Sequence, residues 1–281
     1  MQRKSQESYN FIKTLKYSPS SGIKDTLDGV TVEEPLEIKL SSKKIGLKTV
    51  SIVMRTPVMD NYLAIGFLFS EGIIRNSQDV ISVDNFDEDT GKAKDNIIVI
   101  QVAENVDFDG SDYSRNFIVN SSCGVCGKSN INTVFLKTGR IVRSSLKINK
   151  DVILTLPEKM KRLQTVFGET GGIHAAGLFN FDGNPIIVAE DIGRHNAVDK
   201  VVGYMLSNEM IFRDDLVLQV SGRAGFEILQ KSAIAGIPVV SSVSAPSSLA
   251  VQTAESMNIT LVCFVRENRF NIYANPERIE F

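Results

Sequence analysis

LVLQVSGRAGFEILQKSAIAGIPVVSS, residues 216–242, decides the fold. Its first five residues are nearly all apolar and fit a strand buried on both faces. Residues 226–235 carry helical spacing, and 238–241 return to a short apolar strand. Two strands joined through a helix imply a parallel crossover. The same texture extends in both directions, with strands expected at 175–179, 185–190 and 260–265 and helices at 196–207 and 249–257. A further helix fits 156–167, stopped by Gly168. Strands alternating with helices predict a largely parallel sheet covered on both faces.

Upstream of Asp151 the pattern differs. Residues 35–40 alternate apolar and polar as a half-buried strand does, and 47–56 continue the alternation. Asp60 is placed to cap a helix through Phe69 that ends at Gly72. Two more strands fit 80–83 and 97–102, around the acidic turn 84–89, and possible strands at 115–119 and 133–136 flank a polar loop. The chain thus divides into a polar, mobile arm over residues 1–29, a small α+β unit over 30–148 and an α/β unit over 149–281.

Composition sets outer bounds. With 43% apolar residues in 281, the chain can build a sizeable core. The net charge of −2, from 31 basic and 33 acidic residues, gives no bulk pull toward nucleic acid or anionic membrane. The longest apolar run, 62–69, is broken by Ser70-Glu71 and is too short to span a bilayer. An odd count of three cysteines and a polar start without an apolar signal core predict a cytoplasmic protein, not a secreted disulfide scaffold.

Two of the cysteines sit together in Ser121-Ser122-Cys123-Gly124-Val125-Cys126-Gly127-Lys128. Small neighbours keep both sulfurs accessible, and the Lys128 ammonium with the turn N–H groups favours the attacking thiolate. A zinc site needs two more soft or imidazole ligands, and the chain offers only Cys263, His174 and His195, none in a second paired motif. Dithiol redox chemistry stays open, although such a pair usually stands where a strand meets a helix. Covalent sulfur chemistry, with one thiolate holding an extra sulfur as a persulfide, fits the accessible loop best.

Polar junctions mark the ends of the expected α/β strands, where such domains place their ligands. They are Thr170-Gly171-Gly172-Ile173-His174, Glu190-Asp191-Ile192-Gly193-Arg194-His195-Asn196, Ser221-Gly222-Arg223-Ala224-Gly225 and residues 241–248. Ser221, Gly222 and Arg223 offer backbone N–H groups, a helix N-terminus and a guanidinium, a cradle suited to phosphate. Each junction on its own is also an ordinary capped turn. The densest ionisable group, Glu190, Asp191, Arg194, His195 and Asp199, reads either as a helix start, with Asp191 capping and Arg194 paired to Asp199, or as an acid/base clamp around His195.

Together these strings resemble the FdhD/NarQ family of formate dehydrogenase accessory sulfurtransferases. The resemblance rests on Ser122–Gly127, LAIGFLFSEG at 63–72, GGIHAAG at 171–177, EDIGRHNAVDKVVG at 190–203, SGRAGF at 221–226 and KSAIAGIPVVSSVSA at 231–245. It runs from about residue 30 to the C-terminus, in order. It implies a homodimeric sulfur carrier that takes sulfur from a cysteine desulfurase and passes it to the molybdenum cofactor, bis(molybdopterin guanine dinucleotide), for the formate dehydrogenase apoenzyme. On the family pattern Cys123 bears the persulfide and Cys126 assists. Phe264, Val265, Arg266, Glu267, Asn268 and Arg269 match its cofactor-binding stretch, whose arginines suit phosphates and guanine carbonyls, and GDP is the expected mimic.

The family's larger domain is similar to the cytidine deaminase fold, a three-layer α/β sandwich. The deaminase chemistry itself does not fit. A zinc deaminase needs His-x-Glu followed by Pro-Cys-x-x-Cys, whereas His174-Ala175-Ala176 puts alanine at the acid/base position and no such cysteine pair follows. Two alternatives to sulfur transfer stay open, a non-catalytic chaperone of the cofactor and a thiol-disulfide oxidoreductase using Cys123 and Cys126.

Overall fold

The computed structural model describes residues 8–85, 95–108, 118–119 and 141–281. The chain opens with β1 (Tyr9–Ser18) and β2 (Gly22–Thr31), paired antiparallel through all ten residues of each. Residues 9–29, read above as an arm, are therefore a hairpin. Phe11, Leu15, Tyr17, Ile23 and Leu27 fall on one face of it, and Gly22, with φ of 66°, closes the turn.

A five-stranded sheet follows, in the order β5-β6-β3-β4-β7. Its strands are β3 (Glu34–Ser42), β4 (Gly46–Arg55), β5 (Val80–Asp84), β6 (Ile97–Val102) and β7 (Ile118–Val119). Between β4 and β5 lies helix α1 (Asp60–Ser70). Asp60 does not cap it as expected. Met59 holds the capping position in the left-handed region, and the Asp60 carboxylate instead receives two hydrogen bonds from the buried Arg55, at 3.0 and 2.9 Å.

The short β8 (Ile148–Asn149) leads into α2 (Lys150–Arg162) and α3 (Thr165–Thr170). These replace the single helix expected over 156–167. The Asn149 side chain accepts from Asp151 N and starts α2 earlier, Pro157 lies inside it, and the chain breaks at Leu163–Gln164.

The second sheet has six strands in the order β10-β9-β11-β12-β13-β14. They are β9 (His174–Asn180), β10 (Pro185–Asp191), β11 (Leu216–Val220), β12 (Val239–Ser242), β13 (Thr260–Arg266) and β14 (Arg269–Ala274). Helices α4 (Arg194–Ser207), α5 (Phe226–Ala235) and α6 (Ser248–Ser256) connect β10 through β13, and β15 (Ile279–Glu280) pairs with β8.

Only the β11-β12 and β12-β13 pairs are parallel; the three others are antiparallel. The sheet is mixed, not largely parallel. Tight turns join β9 to β10 and β13 to β14, and a parallel return needs a crossover of a dozen residues or more.

Alternate residues of these strands enter two cores. Leu216, Leu218, Val240 and Leu261 pack with α4, α5 and α1 in one. Val217, Val239 and Val262 pack with Ile153, Leu156 and Met160 of α2 in the other. The larger core also takes in Leu36, Ile38 and Ile98 of the five-stranded sheet, so the two expected units share one apolar interior.

Helices α1 and α4 join the units at a very close crossing. An ideal Cβ on Gly66 would lie 1.9 Å from the Asp199 carbonyl oxygen, and one on Gly203 would lie 1.9 Å from the Tyr62 carbonyl oxygen. Tyr62 and Tyr204 meet edge to face beside that contact, their centroids 5.5 Å apart. Among the described residues no helix is long and apolar enough to cross a membrane.

Candidate functional site

The ends of β10, β11, β12 and β13 and the start of β9 lie along one edge of the six-stranded sheet. Register therefore brings His174, Asp191–His195, Ser221–Arg223, Ser242–Ser248 and Phe264–Arg266 to the same rim.

Ser221 extends the sheet. Its N–H donates to Ala175 O at 3.0 Å and its Oγ accepts from Ala175 N at 2.8 Å, which takes the hydroxyl oxygen out of a free cradle. Gly222 is needed for close approach: an ideal Cβ there would lie 3.3 Å from His174 Nδ1 and 3.6 Å from Arg194 Cδ. The Gly222 carbonyl accepts from Ser242 Oγ at 2.7 Å, which ties β11 to β12 beyond their ladder. Arg223 is exposed, and its side chain has no hydrogen bond or carboxylate partner among the described residues.

Helix α5 opens after Gly225, as the sequence suggested; it has no side-chain cap, and its first turn already carries Glu227. That carboxylate lies 3.0 Å from His195 Nδ1 in the first turn of α4, and both side chains are nearly buried. The His195–Glu227 pair escaped sequence reading because 32 residues separate its members; the only local signal was a glutamate placed just after a glycine-started helix.

His174 is half-buried beside Arg194 and His195. Burial, and then those two neighbours, lower its pKa below the ordinary imidazole value, against a weaker pull from Asp191. Arg194 itself has no carboxylate partner among the described residues. The expected pair with Asp199 does not form, because Asp199 lies further along α4, buried, where it accepts from Lys231 Nζ at 2.7 Å and Ser70 Oγ at 2.9 Å.

The remainder of the ionisable cluster is structural. Asp191 is fully buried and accepts from Gly193 N at 2.8 Å and Asn196 Nδ2 at 2.9 Å, with Lys200 Nζ at 2.8 Å. Burial pushes its carboxyl above the ordinary range, and Lys200, Gly193 and Asn196 pull it back. Lys200 also donates to Thr56 O and Glu190 O, and Asn196 to Met54 O, so this seam fastens the end of β4 to α4. Glu190 accepts from Val166 N and Phe167 N at the start of α3.

At the β13 end, Phe264 is forced to φ of 55° by a bulge between Cys263 and Arg266, and its N–H donates to Ser244 O. Val265 is buried in the smaller core. Arg266 folds back, Nη1 donating to Val243 O at 2.6 Å and to Val265 O at 2.8 Å. Glu267 and Asn268 form the exposed turn to Arg269, which is exposed and unpaired among the described residues. Of the two arginines expected to take phosphate, Arg266 is partly committed to main-chain carbonyls and Arg269 is not. Cys263, the third cysteine, is buried and pushed up to about 12 by desolvation, the wrong direction for a nucleophile.

Cys123 and Cys126 lie outside the described residues. The chain approaches them through β7, which pairs parallel with β4 at Ile52 and Val53. It is described again from residue 141, and beside it the Val142 N–H donates to Met257 O and the Val142 carbonyl accepts from Asn258.

The FdhD/NarQ family model matches residues 31–280, nearly the whole chain. The chain belongs to the FdhD/NarQ family. A relative from Thermoplasma volcanium, named sulfur carrier protein FdhD, is 54% identical over 268 residues, covering 95% of both chains. FdhD relatives with the same name from Picrophilus torridus and Saccharolobus solfataricus are 52% and 42% identical over 90% and 94% of this chain. The crystal structure of a putative formate dehydrogenase accessory protein from Desulfotalea psychrophila superposes with a TM-score of 0.74. It covers 98% of this chain and 100% of that one at 23% identity, a likeness of fold.

Proposed function

We propose that this chain is a sulfur carrier that supports the maturation of formate dehydrogenase. The observation that carries the reading is the 54% identity, over 95% of both chains, to a protein named as a sulfur carrier. The glycine-flanked cysteine pair supplies the chemistry. Cys123 thiolate attacks the terminal sulfur of a persulfide on a cysteine desulfurase; a new S–S bond forms on Cys123, the donor's S–S bond breaks, and the donor thiolate leaves. No net oxidant is consumed. Cys126 thiolate then attacks Cys123 Sγ, the pair closes to a disulfide, and hydrosulfide departs toward its acceptor. A cellular dithiol resets the pair.

The acceptor in this reading is bis(molybdopterin guanine dinucleotide), bound along the strand-end rim as the substrate to be sulfurated. The donor set there suits phosphate: Arg194, Arg223, Arg266 and Arg269 have no carboxylate partner among the described residues. Uncompensated guanidinium groups match the planar oxygens of phosphate. The mixed sheet with helices on both faces also supports the cytidine deaminase-like reading of this unit. The assignment is tested by mass measurement after mixing with a desulfurase and cysteine. A carrier gains one sulfur atom, removable by reductant and absent in Cys123→Ala. An unmodified wild-type mass favours the cofactor chaperone, and a two-proton loss without sulfur favours the oxidoreductase.

A further inference from the structure

The chain has only two histidines in 281 residues, and the fold brings them together at the strand-end rim. His174 opens β9 between two neighbours. Asp191, the last residue of β10, is its register partner on one side. On the other, the antiparallel β9–β11 ladder reaches Ala176–Val220, and the Ser221 N–H bond to Ala175 O carries it on, which sets Gly222 against the imidazole. His174 alternates in step with Ala176 and Leu178, which enter the core under α4 and α5, so its ring faces the first turns of those helices. Arg194 and His195 start α4, and Glu227 lies in the first turn of α5.

Both neighbouring carboxylates are already engaged. Asp191 accepts from Gly193 and Asn196 and lies 2.8 Å from Lys200 Nζ, and Glu227 Oε2 lies 3.0 Å from His195 Nδ1. His174 meets cationic groups instead. Its Nδ1 and Arg194 Cδ converge over Gly222, 3.3 and 3.6 Å from an ideal Cβ there, and His195 adjoins them. The His174 side chain has no hydrogen-bond partner among the described residues, and neither Arg194 nor Arg223 has a carboxylate partner there.

We propose that His174 is a further phosphate ligand of the rim, and that it takes up a proton as the phosphate binds. This role, which rests on the reading of the rim as a phosphate site, follows from charge. Burial and the two cationic neighbours keep the imidazole neutral near pH 7 without ligand. A phosphate dianion offsets the repulsion from Arg194 and His195 and favours imidazolium. Imidazolium donates from both ring nitrogens, a charge-assisted contact in place of a neutral one. Glu227 already balances His195, so the incoming anion finds in His174 the imidazole without a counter-charge. By linkage, affinity should rise by up to about tenfold for each unit that pH falls between the ring's pKa with ligand and its lower pKa without, and level off below the latter.

Proton NMR on the untagged full chain reads the ring directly, since His195→Gln leaves one imidazole and so assigns the other. The His174 midpoint is expected below 6.5 in buffer. With saturating GDP or pyrophosphate it should rise by about one unit or more, and guanosine, which lacks the anion, should not move it. Calorimetry in buffers of different ionisation enthalpy compares wild type with His174→Gln, so that GDP's own ionisation cancels. Wild type should take up roughly 0.5–1 more proton per GDP near pH 7 and lose affinity more steeply as pH rises. GDP that binds without moving the His174 midpoint, or with equal proton uptake in both proteins, overturns this role and leaves the rim's phosphate reading standing. A shift that guanosine reproduces overturns it too, since no phosphate is then involved. No binding of GDP or pyrophosphate at any pH overturns the rim reading with it. The NMR midpoint decides if His174→Gln does not fold.

Discussion

Val58 holds φ of 89° and is half exposed, in a turn pinned by the buried Arg55–Asp60 pair on one side and Lys200 on the other. A β-branched residue there is strained by roughly 1–3 kcal/mol, and glycine's extra chain entropy costs about 0.5–1 kcal/mol. Val58→Gly should therefore raise stability by about 1 kcal/mol, seen as a higher urea midpoint at unchanged slope; a lower midpoint means the turn is not strained. His174 contributes a pH term. Its folded pKa is depressed, so the unfolded chain binds its proton first as pH falls through the free imidazole value near 6.5. Stability from this group is full above that value and declines below it, until the folded form also protonates. His174→Gln should flatten the stability profile below about pH 6.5, and an unchanged slope assigns the acid loss to other groups. Lys231 is the converse. Burial alone would lower its pKa, but Asp199, Glu71 and Glu227 together raise it. Lys231→Met strips the buried Asp199 of its cation and should cost about 3–5 kcal/mol, whereas Asp199→Leu/Lys231→Met should recover most of that loss.

Among the elements, the α1–α4 crossing is the least forgiving. Ala at Gly203 would place a methyl 1.9 Å from the Tyr62 carbonyl oxygen, a backbone atom unable to swing aside. Gly203→Ala should cost about 3 kcal/mol or more by forcing the helices apart. Gly168→Ala, where nothing lies within 4 Å, should be neutral or slightly stabilising. Chemical denaturation of both variants checks the contrast. Such proximity was not legible in the sequence, because Gly66 and Gly203 are 137 residues apart and each looks like a tolerated helix glycine. Element positions were legible wherever period and stop signal agreed: 216–220 and 226–235 fall where apolar runs end at glycines. Where local signals conflicted, reading failed. Residues 156–167 read as one helix, yet the Asn149 cap starts it earlier by satisfying a first-turn N–H. The polar tip of the hairpin hid its alternation. Parallel and antiparallel neighbours were confused because a strand's sequence carries its burial and not its partner's direction.

Across the whole molecule, the strand-end rim is where sheet topology turns scattered motifs into one surface. The sequence named Ser221–Arg223 and Phe264–Arg269 as separate stretches, and only register shows that both end on the same edge as His174 and Arg194. It could not show that Arg266 spends donors on Val243 and Val265, since main-chain carbonyls have no side-chain signature. The two arginines should therefore behave differently toward GDP. Arg223 is exposed and unpaired among the described residues, so Arg223→Ala removes a charge-assisted contact and nothing else. Such a contact contributes about 1.5–3 kcal/mol, so affinity should fall roughly 10- to 150-fold while the melting temperature stays fixed. Arg266→Ala also unties β13 from the end of β12, so affinity and melting temperature should fall together, by an amount Arg266→Lys only partly restores. Calorimetry and thermal melts on the three variants separate these outcomes. Equal GDP affinity in Arg223→Ala and wild type would move the phosphate site away from the α5 junction. A fall in both affinity and stability for Arg223→Ala would show that its guanidinium holds the fold and does not face a ligand.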